Sequence, residues 1–328
     1  MTHWLRPLPA ADARPDALCI AGGPVRFTHV ERLERGRPAH ITPVTDLDPQ
    51  DLSRLAAPRA PICGIDLSVP RIMGIINVTP DSFSDGGRFL SPVAAARQVT
   101  AMARADILDI GGESTRPGAA LVPPEEEIAR ILPVIAAGAE RCISVDTRKA
   151  SVASAALAAG ARIVNDVSGG TFDPDLLATV AASGAPVCLM HSVGTPVTMQ
   201  DDPSYDDVLF DVLDALAVRI AAAEAAGISR DRIIADPGIG FGKTRAHNLA
   251  LLRRIGVFHD LGVPILLGVS RKRFIGDIGR APQADDRLPG TLAVTLAAVA
   301  QGIQIHRVHD VAEVAQGLAL WAAVTGGE

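Results

Sequence analysis

CISVDTRKASVASAALAAGARIVND, residues 142–166, carries the pattern that decides the fold. CISVD is a short β-branched run that ends on Asp146, and RIVND is another that ends on Asp166. Between them the Ala-rich stretch Ser151 to Gly160 has helical spacing. Apolar runs of about four to eight residues fit strands buried on both faces, which parallel sheets produce because helices cover them. Outward from this unit the same alternation recurs. RIMGIIN ends at Asn77, DILDIGGES at Ser114, PVCLMH at His191, RIIAD at Asp236, PILLGVSRK at Lys272 and IQIHRVH at His309. Stretches with helical spacing include Ala94 to Ala105, Glu125 to Ala137 and Asp206 to Ala226. Eight alternations of strand and helix predict an α/β fold, a (β/α)8 TIM barrel, whose active site collects at the C-terminal strand ends. Those ends hold the chain's Asn, Asp, Lys, Arg and His residues.

A barrel of about 250 residues with extra segments uses the 328-residue length as one unit. Residues 63–328 are read as the barrel and residues 1–62, with many Pro and Arg, as an N-terminal extension of uncertain structure on its outside or bottom. Within it ALCIAG and FTHVERL fit either a short strand and a helix or a small hairpin. Hydrophobic content of 48% supplies ample core, and a net charge of −6 excludes a nucleic-acid surface, which needs clustered Lys and Arg. No apolar stretch approaches the ~18 residues of a membrane helix, and MTHWLRPLPAADARP lacks the features of a signal peptide, so a cytoplasmic protein without a membrane partner is expected. Cys19, Cys63, Cys142 and Cys188 lack zinc-ligand spacing and are read as buried thiols.

The loops after the strands carry the chemistry. NVTPDSFSDGGRF follows the first strand and is long for a βα connection, as binding loops often are. Asn77 at its start offers a neutral oxygen to a hard cation such as Mg²⁺. In GGESTRPGA, two glycines let backbone amides approach a ligand, and Ser114, Thr115 and Arg116 add donors that suit an anion. DPGIGFGKT is neither a P-loop, which needs Gly where Pro237 stands, nor a Rossmann turn, because its glycines read G-x-G-x-G. Asp146, Asn165 and Asp236 stand at three separate strand ends. Strand-end Asp and Asn also cap helices, but together these suit a ligand with adjacent N–H donors and some acceptors, such as an amino-pyrimidinone or pterin ring. Asn165 rather than Asp166 is expected to face the barrel mouth. Lys272, Arg307 and His309 supply cations at strands seven and eight, where barrels often hold phosphate. Arg307 and His309 share a face and can grip one anion, while Arg271 and Arg273 point away.

NVTPDSFSDGG, DIGGESTRPGA, SVDT, VNDVSGG, DPGIGFGK, SRKRF and RVHD resemble, in order, the motifs of the dihydropteroate synthases, a family of pterin-binding enzymes. The resemblance runs from about Gly64 almost to the C-terminus and leaves the first sixty or so residues outside it. It implies a TIM barrel, usually a homodimer, that joins p-aminobenzoate to a pterin diphosphate with Mg²⁺ as cofactor. Asp146, Asn165, Asp236 and Lys272 would hold the pterin, with Met190 and Phe241 in the substrate-binding set. Arg307, His309 and Asn77 would hold diphosphate and the metal. Thr115, Arg116 and Ser270 match positions near the diphosphate or the arylamine, over which Phe83 and Pro80 would close. Asp146, Lys272, Arg307 and His309 are the catalytic candidates, in an SN1-like substitution without a covalent enzyme intermediate. MHSVG, Met190 to Gly194, departs from the family's commoner MHMQG, so the contacts of the family's Gln are not carried over. A methyltetrahydrofolate methyltransferase is the nearest rival, yet a methyl donor needs no diphosphate grip. A non-catalytic pterin-binding protein is the other.

Overall fold

A computed structural model describes residues 3–10, 16–78, 92–114, 119, 121–194 and 203–326. The chain opens on strands β1 (Trp4–Pro9), β2 (Leu18–Cys19), β3 (Arg26–Leu33) and β4 (His40–Pro43), followed by helix α1 (Pro49–Ala56). β3 pairs antiparallel with the other three strands. FTHVERL is therefore a strand, and the hairpin reading of this segment is the one observed. Its apolar spacing is ambiguous because Leu8 pairs with His29 and Pro9 with Phe27, which leaves Thr28 as an extra, bulged residue. The bulge lets Phe27 and Val30 face one small core together with Leu5, Ile20 and Leu55.

The extension grips the barrel's flank and floor. The Leu5 N–H and Arg54 Nε both donate to the Asp260 carboxylate, each at 2.9 Å. Trp4 Nε1 donates to Asp214, and Arg35 pairs with Asp211 and Asp214.

From Arg71 onward the elements alternate. They are β5 (Arg71–Asn77), α2 (Pro92–Ala101), β6 (Ile107–Gly111), α3 (Pro124–Ala137), β7 (Cys142–Asp146), α4 (Ala150–Ala158), β8 (Ile163–Asp166) and α5 (Leu176–Ser183). Then follow β9 (Val187–Met190), α6 (Val208–Ala225), β10 (Ile233–Asp236), α7 (Arg245–Arg253), β11 (Leu266–Leu267), α8 (Arg273–Gly279), α9 (Leu288–Val299), β12 (Ile305–Val308) and α10 (Val311–Thr325). Local signals explain the helices. α3 begins with Pro124 and three Glu residues, favourable at the positive helix start, and turns Ile131, Val134 and Ile135 inward. Asp207 caps α6 by accepting from the N–H groups of Leu209 and Phe210.

β5 to β12 form one parallel sheet in the order β10-β9-β8-β7-β6-β5-β12-β11, and a parallel bridge from Ala235 to Ile265 closes the ring. The expected TIM barrel is therefore present. Two strands end earlier than the sequence suggests: β6 stops at Gly111 and β11 at Leu267. Beyond β11 the left-handed Arg271 (φ 58°) turns the chain, so Lys272 becomes the residue before α8 rather than a strand end.

Alternation sorts the barrel interior into two tiers. The lower tier is apolar: Met73, Ile107, Ile163, Cys188, Ile234, Leu266 and Ile305 pack together with Cys142, so that each strand contributes one side chain. Ile62 and Leu67, from the segment before β5, cover this tier from below. Two residues further along the strands, Asp109, Ser144, Asn165, Asp236 and Arg307 make the next inward positions mostly polar, beside Ile75, Met190 and Gly268.

Candidate active site

The polar tier is brought into one layer by register. Gly111 lies beside Asp146, Asp146 beside Asn165, and Asp236 beside Met190. Asp109, two residues before Gly111 on the same inward face, is fully buried at 0% exposure. Arg307 Nε donates to Asp109 Oδ2 at 2.5 Å, and its NH2 group donates to Asp146 Oδ2 at 2.7 Å. Asn165 Nδ2 donates to Asp109 Oδ2 at 3.0 Å. Arg307, expected as an open cation for diphosphate, instead bridges two buried carboxylates, with only 19% of its side chain exposed. Asn165 faces the axis, while Asp166 accepts from Ser168 and Gly170 of its own loop.

The charge balance leaves acceptors over. Asp109 Oδ1 and Asp146 Oδ1 are buried with no hydrogen-bond partner among the described residues, an arrangement native folds avoid unless a ligand or ion uses it. Burial raises the Asp146 pKa, Arg307 opposes the rise and Asp109 adds to it. One guanidinium thus compensates two carboxylates.

Asp236 Oδ1 accepts from the Gly238 N–H at 2.7 Å, and burial pushes its pKa up to about 6. The Lys272 ammonium lies 4.0 Å from the centroid of Phe241. Burial lowers its pKa to about 8 against the opposing pull of Asp236. Ser270 Oγ accepts from the backbone N–H of His309 at 3.1 Å and meets His309 Nδ1 at 3.0 Å. Met190 is buried, and Asn77 ends β5 half-buried beside Gly111. Thr115, Arg116, Phe83 and Pro80 lie outside the described residues.

The DPGIGFGK loop owes its glycines to packing. A Cβ at Gly238 would stand 1.9 Å from the carbonyl oxygen of His191, and φ there is +66°. The loop is held by Lys243, which sequence reasoning passed over. Its buried Nζ meets His191 Nδ1 at 2.9 Å and donates to the carbonyls of Gly238 at 2.9 Å, Phe241 at 3.0 Å and His191 at 3.3 Å. Burial lowers its pKa to about 7. Lys243→Met leaves those carbonyls without their donor, so a loss of about 2 kcal/mol of stability in urea unfolding is expected, with a raised KM for the pterin substrate. Unchanged stability and KM together would rule out this role. In MHSVG, Val193 is 41% exposed and presents no polar group where the family's Gln stands.

Among the described residues no three His, Cys, Asp or Glu side chains gather as a metal cage. A hard cation here fits only as one that keeps its waters and takes phosphate oxygens, with Asn77 as a neutral neighbour. All four cysteines are free; Cys188 is buried, but Cys19, Cys63 and Cys142 are only half-buried, which corrects the buried-thiol expectation.

The family profile described as pterin binding enzyme matches residues 73–309. Dihydropteroate synthase of Escherichia coli (strain K12) is 47% identical over 259 residues, covering 77% of this chain and 91% of the relative. The crystal structure of Xanthomonas albilineans dihydropteroate synthase with 4-aminobenzoic acid superposes with a TM-score of 0.75 at 47% identity, covering 81% of this chain and 98% of that one. The complex of the Xanthomonas albilineans enzyme with 7,8-dihydropteroate gives a TM-score of 0.72 at 43% identity over the same shares. The chain belongs to the pterin-binding enzymes and, within them, to the dihydropteroate synthases.

Proposed function

We propose that the protein condenses 6-hydroxymethyl-7,8-dihydropterin diphosphate with p-aminobenzoate, giving 7,8-dihydropteroate and diphosphate, a transferase step of folate biosynthesis. The observation that carries this reading on the chain itself is the pair of buried carboxylate oxygens on Asp109 and Asp146 that have no partner among the described residues. They stand in one tier with Asn165 and Asp236. Acceptors so placed are complementary to the N–H edge of an amino-pyrimidinone, and the Lys272 ammonium supplies a donor for its acceptor atoms.

The reaction breaks the C–O bond at the pterin methylene, and diphosphate leaves with the electron pair. His309, held by Ser270, meets that leaving charge in this reading. Asn77 would help to hold a hydrated Mg²⁺, which would supply Lewis-acid neutralisation of the phosphate oxygens. The methylene carbon becomes cationic and shares its charge with the ring nitrogens. Asp146 stabilises that cation, which Arg307 assists by favouring the carboxylate form. The arylamine nitrogen then attacks and sheds a proton, a step that needs no strong base.

A homodimer in the cytoplasm fits the surface. Leu320 and Val324, one turn apart on α10, are 65% and 78% exposed. No helix among the described residues is long and apolar enough to cross a membrane. Diphosphate release with pterin diphosphate and p-aminobenzoate tests the activity, and sedimentation tests the dimer. Release that does not depend on the arylamine, or no release at all, would overturn the proposed reaction.

A further inference from the structure

Cys63 and Cys142 meet beneath the barrel floor, at the end opposite the polar tier. Cys142 is the first residue of β7. Cys63 sits in a left-handed conformation (φ 52°) in the turn closed by reciprocal hydrogen bonds between Ile62 and Ile65, at 3.1 and 2.9 Å. Both side chains pack against the apolar lower tier. Cys63 Sγ donates to the Arg162 carbonyl at 3.5 Å, while the Arg162 N–H donates to the carbonyl of Ile143, next to Cys142, at 2.8 Å. The two thiols therefore hang from joined backbone and pack against the same apolar tier. The interaction between them, helped by the nearby Arg162 charge, lowers the Cys63 pKa, while the same interaction together with burial raises that of Cys142 against the pull of Arg162. Cys63 also lines an open surface groove of about 910 Å³ with Arg162 and Arg232, so a small reagent can reach it.

We propose that Cys63 and Cys142 are a modification site, a dithiol that closes reversibly to a disulfide and staples the segment entering the barrel to the foot of β7. The oxidant is a low-molecular-weight disulfide, R–S–S–R. The Cys63 thiolate attacks one sulfur, forms a mixed disulfide and releases RS⁻. Cys63 no longer carries charge at that point, so what held the Cys142 proton in place is gone. Cys142 loses that proton to the released RS⁻, attacks Cys63 Sγ and expels the second RS⁻, which takes a proton from solvent. Two protein thiols are oxidised by two electrons and one R–S–S–R is reduced to two R–SH. Cys188 in the barrel interior and Cys19 on β2 serve as internal controls.

The test treats the full chain with glutathione disulfide at pH 8, blocks remaining thiols with iodoacetamide and digests with trypsin. The expected product joins peptide 60–71 to peptide 142–148 and disappears on reduction. The oxidised protein melts about 5 °C higher, and Cys142→Ser abolishes that difference. Cys63 left as a glutathione adduct with Cys142 alkylated, or all four cysteines alkylated, overturns the proposal. The peptide mass from the unsubstituted protein decides the matter even where a serine variant does not fold.

Discussion

Arg307→Met lowers the stability of the fold by about 3–5 kcal/mol, the cost of stranding buried charge when one partner of a buried pair is removed. The reason is the 2.5 and 2.7 Å bonds by which one guanidinium compensates Asp109 and Asp146. Without it the two carboxyls face each other and a low-dielectric interior, and one of them stays protonated. Asp146 already has a raised pKa, and the substitution raises it further. A carboxyl whose folded pKa exceeds its unfolded one binds more protons in the native state, so its contribution to stability is lost as pH rises through the folded pKa. The deficit of the variant is therefore larger at pH 8 than at pH 5. Urea unfolding of both proteins at the two pH values measures it. Equal stability of the two proteins at pH 8 would show that Arg307 does not hold the carboxylates together.

Asp236→Asn weakens pterin binding roughly 10²-fold or more, because two charge-assisted hydrogen bonds at about 1.5–3 kcal/mol each are lost or weakened. The fold should persist, since the Asn oxygen can still accept from the Gly238 N–H. The Asp236 pKa of about 6 adds a pH signature. Below that value the free protein holds a proton that binding must displace, so the dissociation constant rises about tenfold for each further pH unit. Calorimetry with a pterin ligand should show this slope in the unsubstituted protein and a flat line in Asp236→Asn. A constant that neither the substitution nor acid changes would remove Asp236 from the site.

Much of this architecture is legible in the sequence because parallel strands are buried on both faces and announce themselves as unbroken apolar runs. Their polar ends mark the barrel mouth, and the seven ordered motifs place the chain in its family. Asp109 escapes this reading because it lies in the middle of DILDIGG rather than at a strand end. The available signal is that it stands two residues before Gly111, on the same inward face. The engagement of Arg307 by Asp109 and Asp146 depends on barrel closure and on register across β12, β5, β6 and β7, which no local pattern encodes. Lys243 reads as part of a failed nucleotide motif, since its partners are backbone carbonyls that only the folded loop brings together. At β3 one bulged residue, Thr28, breaks the two-residue period by which a strand is recognised.

Ile62 and Leu67 act as a stopper in the lower opening of the ring, and they belong to the stretch that arrives from the N-terminal sheet. A shortened protein that starts just after residue 67 would leave that opening unsealed and let water reach the hydrocarbon lining beneath the chemistry. The leading segment is thus less an ornament on a self-sufficient catalyst than the keel on which the vessel closes, and trimming from the front is tolerated only as far as that plug.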